Sequence, residues 1–441
     1  MKKDPIVYVD FGGTRISAIA GYVQEDNFLN IMGEQEKPSD DVKSGIVDKM
    51  TGAAYKINEL LRFLQNALNL NPIQTVSTSV NARSMKHYTY TIETQIINVV
   101  SNTLLTATDN QCKEEVTSDK VHVFRCIPLA YYVDDVRVSD PLGKRGSKLR
   151  IDYNVIIGNN LVQENLERCI ERTGIGVDRI HLGMDAIATV LLEEEEKENG
   201  CAIISFGANT TSLGVYSKGV LQELRVIPLG GEDITSDIQE LGISRNNAEL
   251  LKCKKGLALE RLVENPVNIQ IPNETPNLKP IKISTQFLAT IIEARLEEIL
   301  NPIFDQIDNI RYPLNSGIVI TGGAAKLDGL IEFIQEHTGF QVRMGNHTDW
   351  LSDDTDPKFY DPKYSEAIGS ILLTNDFLSK DITLEVVAIE PKLPRDNIFK
   401  KAAKKLKGHF EDSVQSLFQY DEEEMQNNNS QKEENEQESS S

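Results

Sequence analysis

Apolar positions along the chain fall into two patterns: short runs that end on glycine turns, and longer stretches at helical spacing. Residues 318–320 form one short run, closed by Gly322-Gly323 and followed by Leu327, Leu330, Ile331 and Ile334 at helical spacing. Strand, paired glycine and helix bring backbone close to a phosphate or purine, or simply turn the chain tightly. Residues 6–10 read as a strand ending on Asp10, residues 11–15 as a tight turn, and residues 16–21 as a returning strand. That hairpin is either an ordinary glycine hairpin or a phosphate cradle. In a cradle, backbone N–H groups and the Thr14 hydroxyl donate, and Asp10 holds a magnesium-bound water. The stretch 201–216 repeats strand, glycine turn and strand about 195 residues later, which predicts a duplicated architecture around one nucleotide-sized cleft.

Helical spacing predicts helices within 45–70 and at 94–107, 162–173, 182–192, 233–241, 246–259, 286–307 and 364–378. In the last of these, Ala367, Gly369 and Ser370 allow close packing. Strands are expected at 73–80, 121–127, 130–133 and 148–157. From about 81 to 162 the chain turns β-rich and polar, the character of a small α+β module inserted into the first domain.

The tail has its own pattern. Residues 381–395 lack periodicity and carry prolines, which marks a linker. Beyond it Ile398, Phe399, Leu406 and Phe410 recur on one helical face, and Lys400, Lys401, Lys404 and Lys405 crowd the first half. A basic amphipathic helix of this kind lies in an anionic lipid interface, or docks on the protein's own body or on a partner. Residues 419–441 are acidic and polar with nothing to form a core, so disorder is expected.

Composition narrows the options. A length of 441 residues suggests two to four domains at about 150 residues each. A net charge of −21 argues against a general nucleic-acid binder. Cys112, Cys126, Cys169, Cys201 and Cys253 show no Cys-x-x-Cys spacing, so neither a zinc site nor a redox pair is indicated, and a reducing compartment with mostly buried thiols is expected. No signal-peptide core and no run of ~18 apolar residues is present, which predicts a protein kept in the cytosol.

Asp10-Phe-Gly-Gly-Thr, Ser205-Phe-Gly-Ala-Asn-Thr-Thr and Thr321-Gly-Gly-Ala-Ala together resemble the phosphate-1, phosphate-2 and adenosine motifs of the actin/Hsp70/hexokinase superfamily. The stretches 127–134 and 140–149, 230–238 and 248–256, and 292–300 are similar to the bacterial cell-division family FtsA. The resemblance covers about residues 5–380, and the amphipathic tail fits it. It implies an α/β, actin/Hsp70-like two-lobed fold around an ATP cleft, with an inserted SHS2-like α+β domain. The domains would be 1–80 with 163–200, the insert 81–162, 201–244 with 316–380, and 245–315. A linker (381–396), a membrane-targeting helix (397–418) and an acidic tail (419–441) would follow.

For binding residues the resemblance implies Asp10, Gly12, Gly13, Thr14 and Arg15 in the first turn, and Gly207, Asn209 and Thr210 in the second. Glu249 and Lys252 would contact ribose and adenine, and Gly322 and Gly323 would pack on the nucleotide. Asp10 would also help order magnesium. The expected partners are the FtsZ C-terminal peptide, docking within 245–315 near Arg295, later division proteins, other copies in a filament, and anionic inner-membrane lipids. The protein would sit on the cytoplasmic face of the membrane at the septum. Two departures stand out: Ser205 occupies the place of the family's metal-ordering Asp, and 183–186 lacks its usual pattern, leaving Asp185 as the nearest water-positioning candidate. ATP binding with weak or absent hydrolysis is the resulting expectation. A PilM-like pilus-assembly homologue, or a sugar kinase or chaperone on the same fold, is the alternative.

Overall fold

The computed structural model describes residues 5–272 and 279–381. The chain opens with β1 (Ile6–Phe11), β2 (Arg15–Val23) and β3 (Leu29–Pro38), then a minimal hairpin of β4 (Val42–Lys43) and β5 (Ile46–Val47). Helix α1 (Met50–Leu68) and β6 (Thr75–Val80) follow. Ala53, Ile57, Leu60, Leu61 and Leu64 recur at three and four, so α1 buries one stripe against β2 and β3. It stops where Asn69 turns left-handed, φ 51°, and the next N–H groups close on the Gln65 and Asn66 carbonyls.

Next come β7 (Lys86–Gln95), α2 (Asn102–Val116), β8 (Val121–Val133), β9 (Val136–Val138) and β10 (Lys148–Asn159). Helix α3 (Asn160–Glu171), β11 (Gly176–Leu182), α4 (Gly183–Leu191) and α5 (Glu194–Asn199) return to the first sheet. A second meander of β12 (Cys201–Phe206), β13 (Thr211–Ser217) and β14 (Val220–Ile227) leads to α6 (Gly231–Gln239) and α7 (Arg245–Lys255). The chain continues through β15 (Asn268–Ile271), β16 (Ile281–Ser284), α8 (Thr285–Asp308), β17 (Ile318–Thr321), α9 (Leu330–Thr338) and β18 (Val342–Met344) to α10 (Ser365–Asp381).

The two halves share one topology. The first sheet has the order β11-β6-β1-β2-β3, and the second begins β18-β17-β12-β13-β14. In each, an antiparallel three-strand meander carries two parallel strands on its first edge. Parallel pairing needs crossover connections, which the intervening helices supply. The second sheet then runs on through β7, β10, β8 and β9. The join is one pair, Arg225 with Lys86, reinforced by Asn154 Nδ2 donating to the Leu221 and Gln222 carbonyls at 2.9 Å each. The 86–159 segment thus has its own apolar cluster, including Ile92, Tyr153 and Val155, yet is stitched to the second sheet. Between the sheets, α10 packs on α4 so closely that a Cβ on Gly369 would stand 1.8 Å from the Ala186 carbonyl oxygen.

Several elements differ from expectation. The helix expected at 94–107 begins at Asn102, because Ser101 caps it by accepting from the Leu104 N–H, while 86–95 pairs with β10 as a strand. The strands at 121–127 and 130–133 are one, β8, interrupted only by register shifts. The helix expected at 246–259 ends at Lys255, just before Gly256. Cys112, Cys169 and Cys201 are buried, Cys126 is partly covered and Cys253 is exposed. The Cys112 and Cys126 sulfurs lie 3.6 Å apart across α2 and β8, a pairing that sequence spacing did not indicate.

Candidate functional site

The β1–β2 and β12–β13 turns both line a cavity of about 760 Å³, the size of a small-molecule site. Asp10, Gly12, Gly13, Thr14 and Arg15 enter from the first turn; Gly207, Asn209 and Thr210 enter from the second. Glu249 and Lys252 come from α7, and Gly322 and Gly323 from the turn after β17. The structure therefore brings all twelve residues expected from the sequence to one wall system, and Ser205 lines it as well.

The paired glycines have separate reasons. Gly322 sits at φ +98°, and a Cβ there would meet the Phe206 carbonyl oxygen at 2.4 Å, so it is a backbone requirement. Gly323 meets nothing closer than Lys363 Cβ at 3.9 Å and leaves that stretch of wall flat and open. A single 3-10 turn, residues Gly323–Lys326, follows, and α9 starts only at Leu330.

At the α7 end, Lys252 Nζ donates to the Gly231 carbonyl and the Thr235 hydroxyl at 2.7 Å each and pairs with Glu249 at 2.7 Å. Burial works to raise the Glu249 pKa, but Lys252 and the Thr235 hydroxyl prevail and hold it below the usual carboxylate range. Arg245 forks onto Glu232 at 2.5 and 2.7 Å, and Lys326 reaches Asp361 at 2.5 Å.

At the β1 end the balance is different. Arg15 and Lys363 both turn to Glu36, at 3.4 and 3.6 Å. Burial raises the Asp10 pKa, with Arg15 opposing it. Glu366, at the start of α10, accepts a 2.5 Å hydrogen bond from Ser79 Oγ, which is itself 2.6 Å from the Tyr8 hydroxyl. Burial and the nearby Asp10 charge push Glu366 up to about 7. Sequence reasoning missed Glu366, Ser79 and Asn81. The available signal was a glutamate in the first turn of α10, next to the small residues Ala367, Gly369 and Ser370.

Two other candidates lie elsewhere. Asp185 is held by Arg125 of β8 and does not line the cavity, so it cannot position a water there. Its own register on α4 points it at the 86–159 segment instead. Arg295 forks onto Asp237 at 2.5 and 2.6 Å and reaches Glu298 at 2.7 Å, pinning α8 to α6. The expected linker beyond Asp381, the helix with Ile398, Phe399, Lys400, Lys401, Lys404, Lys405, Leu406 and Phe410, and the acidic tail lie outside the described residues. Among the described residues no helix is long and apolar enough to cross a membrane.

The duplicated meander, the two glycine turns and the cavity between them define a two-lobed actin-like fold. Solved structures agree with that class. The PilM–PilN type IV pilus biogenesis complex matches with a TM-score of 0.59 and 16% identity, over 84% of this chain and 98% of that one. MreB5 of Spiroplasma citri bound to ADP matches at 0.54 and 14%, over 87% and 99%. At such identities the likeness concerns the fold alone. Within the class, the chain is similar in sequence to the FtsA cell-division proteins. The family described as Cell division protein FtsA matches residues 202–369. Relatives of that name from Neisseria meningitidis serogroup B and Escherichia coli K12 are each 27% identical, over 82% of this chain and 88% and 89% of theirs. The Bacillus subtilis protein is also 27% identical, over 89% and 87%.

Proposed function

We propose that this protein is an actin-like cell-division protein that binds ATP in the cavity between its sheets and uses the bound state to assemble and to tether division filaments to the membrane. The observation that carries the nucleotide reading is the convergence of Asp10–Arg15, Gly207–Thr210, Glu249, Lys252 and Gly322-Gly323 on one nucleotide-sized cavity. Backbone N–H groups of the turns and the Thr14 and Thr210 hydroxyls supply donors for phosphate oxygens, and Arg15 and Lys363 supply nearby charge. Lys252 and Glu249 would have to exchange part of their mutual contact for contact with a nucleoside. The carboxylates on this wall fit a hard cation such as magnesium, which would neutralise charge on the phosphate tail.

Hydrolysis is expected to be slow. Ser205 supplies no charge, and Asp185 is committed to Arg125 outside the cavity. The partners proposed on the resemblance to FtsA are the C-terminal peptide of FtsZ on the region 245–315, later division proteins, and further copies of this chain. Residues 397–418 would anchor the assembly on anionic lipid at the cytoplasmic face of the septal membrane. The role of a pilus-assembly protein is the second reading, motivated by the PilM–PilN match in fold, but the sequence relatives are FtsA proteins.

Two measurements test the proposal. ATP binding by calorimetry should be saturable, and single-turnover hydrolysis at the rate of active actin-like ATPases would overturn the slow-hydrolysis reading. Deleting residues 397–441 should abolish co-sedimentation with anionic liposomes; a truncated protein that still pellets with them removes the tether.

A further inference from the structure

Most acids lining the cavity are spoken for. Glu36 pairs with Arg15 and Lys363, Glu232 with Arg245, Glu249 with Lys252, and Asp361 with Lys326. Asp10, Asp328 and Glu366 are different: among the described residues none of the three has a cationic side chain within 4 Å, and two of them, Asp10 and Glu366, belong to packed elements of the first lobe. Both stand on the same wall. Asp10 is the penultimate residue of β1, and Glu366 lies in the first turn of α10, which packs across β1 and β6. Glu366 is not free to wander, because Ser79 at the end of β6 holds Oε1 at 2.5 Å and Tyr8 backs Ser79 at 2.6 Å. Its Oε1 would stand 2.3 Å from a Cβ at Gly183, so a side chain there would displace it. The fold thus fixes a second carboxylate on the Asp10 wall and leaves it without a counter-charge. Ser205, from the opposite turn, offers only a hydroxyl.

We propose that Glu366 is the second magnesium-ordering carboxylate of this cavity, acting with Asp10 from α10 in place of the acid that is absent at Ser205. Two fixed carboxylates facing phosphates repel both the nucleotide and each other unless a divalent cation bridges the charge. The cation and ATP then bind with positive coupling, and that coupling is reciprocal. Glu366 positions the cation's oxygen shell. No bond is made or broken by it.

The inference rests on the nucleotide reading above, and one experiment separates the two. ATP affinity of the full chain is measured by calorimetry with magnesium and with EDTA. The wild-type protein should bind ATP roughly tenfold or more tightly with magnesium, within the usual range of coupling between ligands. Glu366→Gln keeps an acceptor for Ser79 and loses the charge. It should bring the magnesium effect close to onefold while leaving affinity in EDTA equal or tighter. Ser79→Ala keeps the charge but loosens its seat, so the magnesium effect should shrink without vanishing. Thermal melts confirm folding, and Glu366→Thr repeats the test should the Gln variant melt early. Neutral variants that keep the wild-type magnesium effect overturn the assignment of Glu366. A wild-type protein that binds no ATP in either condition overturns the nucleotide reading, and this inference with it.

Discussion

Asn209 Nδ2 donates to the Gly13 carbonyl oxygen at 3.3 Å, so the two glycine turns touch across 196 residues of sequence. The contact sets how near the two lobes stand at the phosphate end. It is tight as well as polar: a Cβ on Gly13 would lie 2.6 Å from Asn209 Cγ.

Gly13→Ala should therefore push the turns apart and weaken ATP binding by about tenfold, or 1.4 kcal/mol. Because the obstruction is the Asn209 side chain, Gly13→Ala combined with Asn209→Ala should recover part of the loss. The two changes would then be non-additive, as contacting residues are. Calorimetry on the four proteins of the cycle decides; strict additivity would show that the turns do not act on each other.

Gly322 and Gly323 should separate cleanly. Gly322→Ala places a side chain at φ +98° against the Phe206 carbonyl, which should cost about 1–3 kcal/mol of stability, visible in a denaturant melt. Gly323→Ala has room, so the melt should be unchanged while ATP affinity falls because the new methyl group enters the cavity. Equal destabilisation by both substitutions would contradict the division of roles between the two glycines.

That division shows what the sequence could convey. A paired glycine after a strand announces a tight turn, but which glycine serves backbone and which serves ligand depends on Phe206, from a strand over a hundred positions earlier. The stripes of α1 and α8 were legible because burial follows the helical period within one segment. Strand β3 was not: after Leu29 and Ile31 its residues are mostly polar and half-exposed, as suits the edge strand of a sheet. Strand β11, at the opposite edge, is half-buried along most of its length for the same reason. Helix α2 starts late because a serine cap, not apolar spacing, sets its boundary. Among site residues, those on glycine turns could be read from their neighbours. Glu366 could not, since only the packing of α10 across β1 and β6 brings it to Asp10's wall.

Acid should expose a different feature. His181 on β11 lies 2.8 Å from the Thr374 hydroxyl of α10, and burial, aided by Arg179 and Arg125, lowers its pKa from 6.5 to about 4. The unfolded chain takes up this proton first, so the contribution is complete above pH 6.5 and is lost as pH falls toward 4. The loss is at most about 3 kcal/mol, less whatever solvent screens. Glu366 titrates in the opposite sense, its folded pKa lying above 4.5, so the wild-type curve is partly levelled. His181→Gln, which keeps a partner for Thr374, should remove the His181 slope. Its stability relative to wild type should then rise as pH drops from 6.5 to 4 in magnesium-free urea melts. A constant difference across that window would mean that His181 does not titrate as described.

Ser205→Asp offers the sharpest test of how the cavity is charged. Ser205 pairs with Ser212 and Thr321 inside the sheet, and it lines the cavity that also holds Asp10 and Glu366, which have no cationic partner among the described residues. A third carboxylate on a fixed strand cannot retreat from the others, so the nucleotide-free protein should melt roughly 2–4 °C lower for each 1 kcal/mol of added repulsion. With magnesium and ATP present the sign should change, because a cation between the carboxylates and the phosphates turns the added charge into a ligand-ordering group. The variant should then gain more from magnesium·ATP than the wild-type protein does, by thermal shift at matched ligand concentration. An equal loss of stability with and without magnesium·ATP would place the new carboxylate out of reach of any cation held by Asp10 and Glu366.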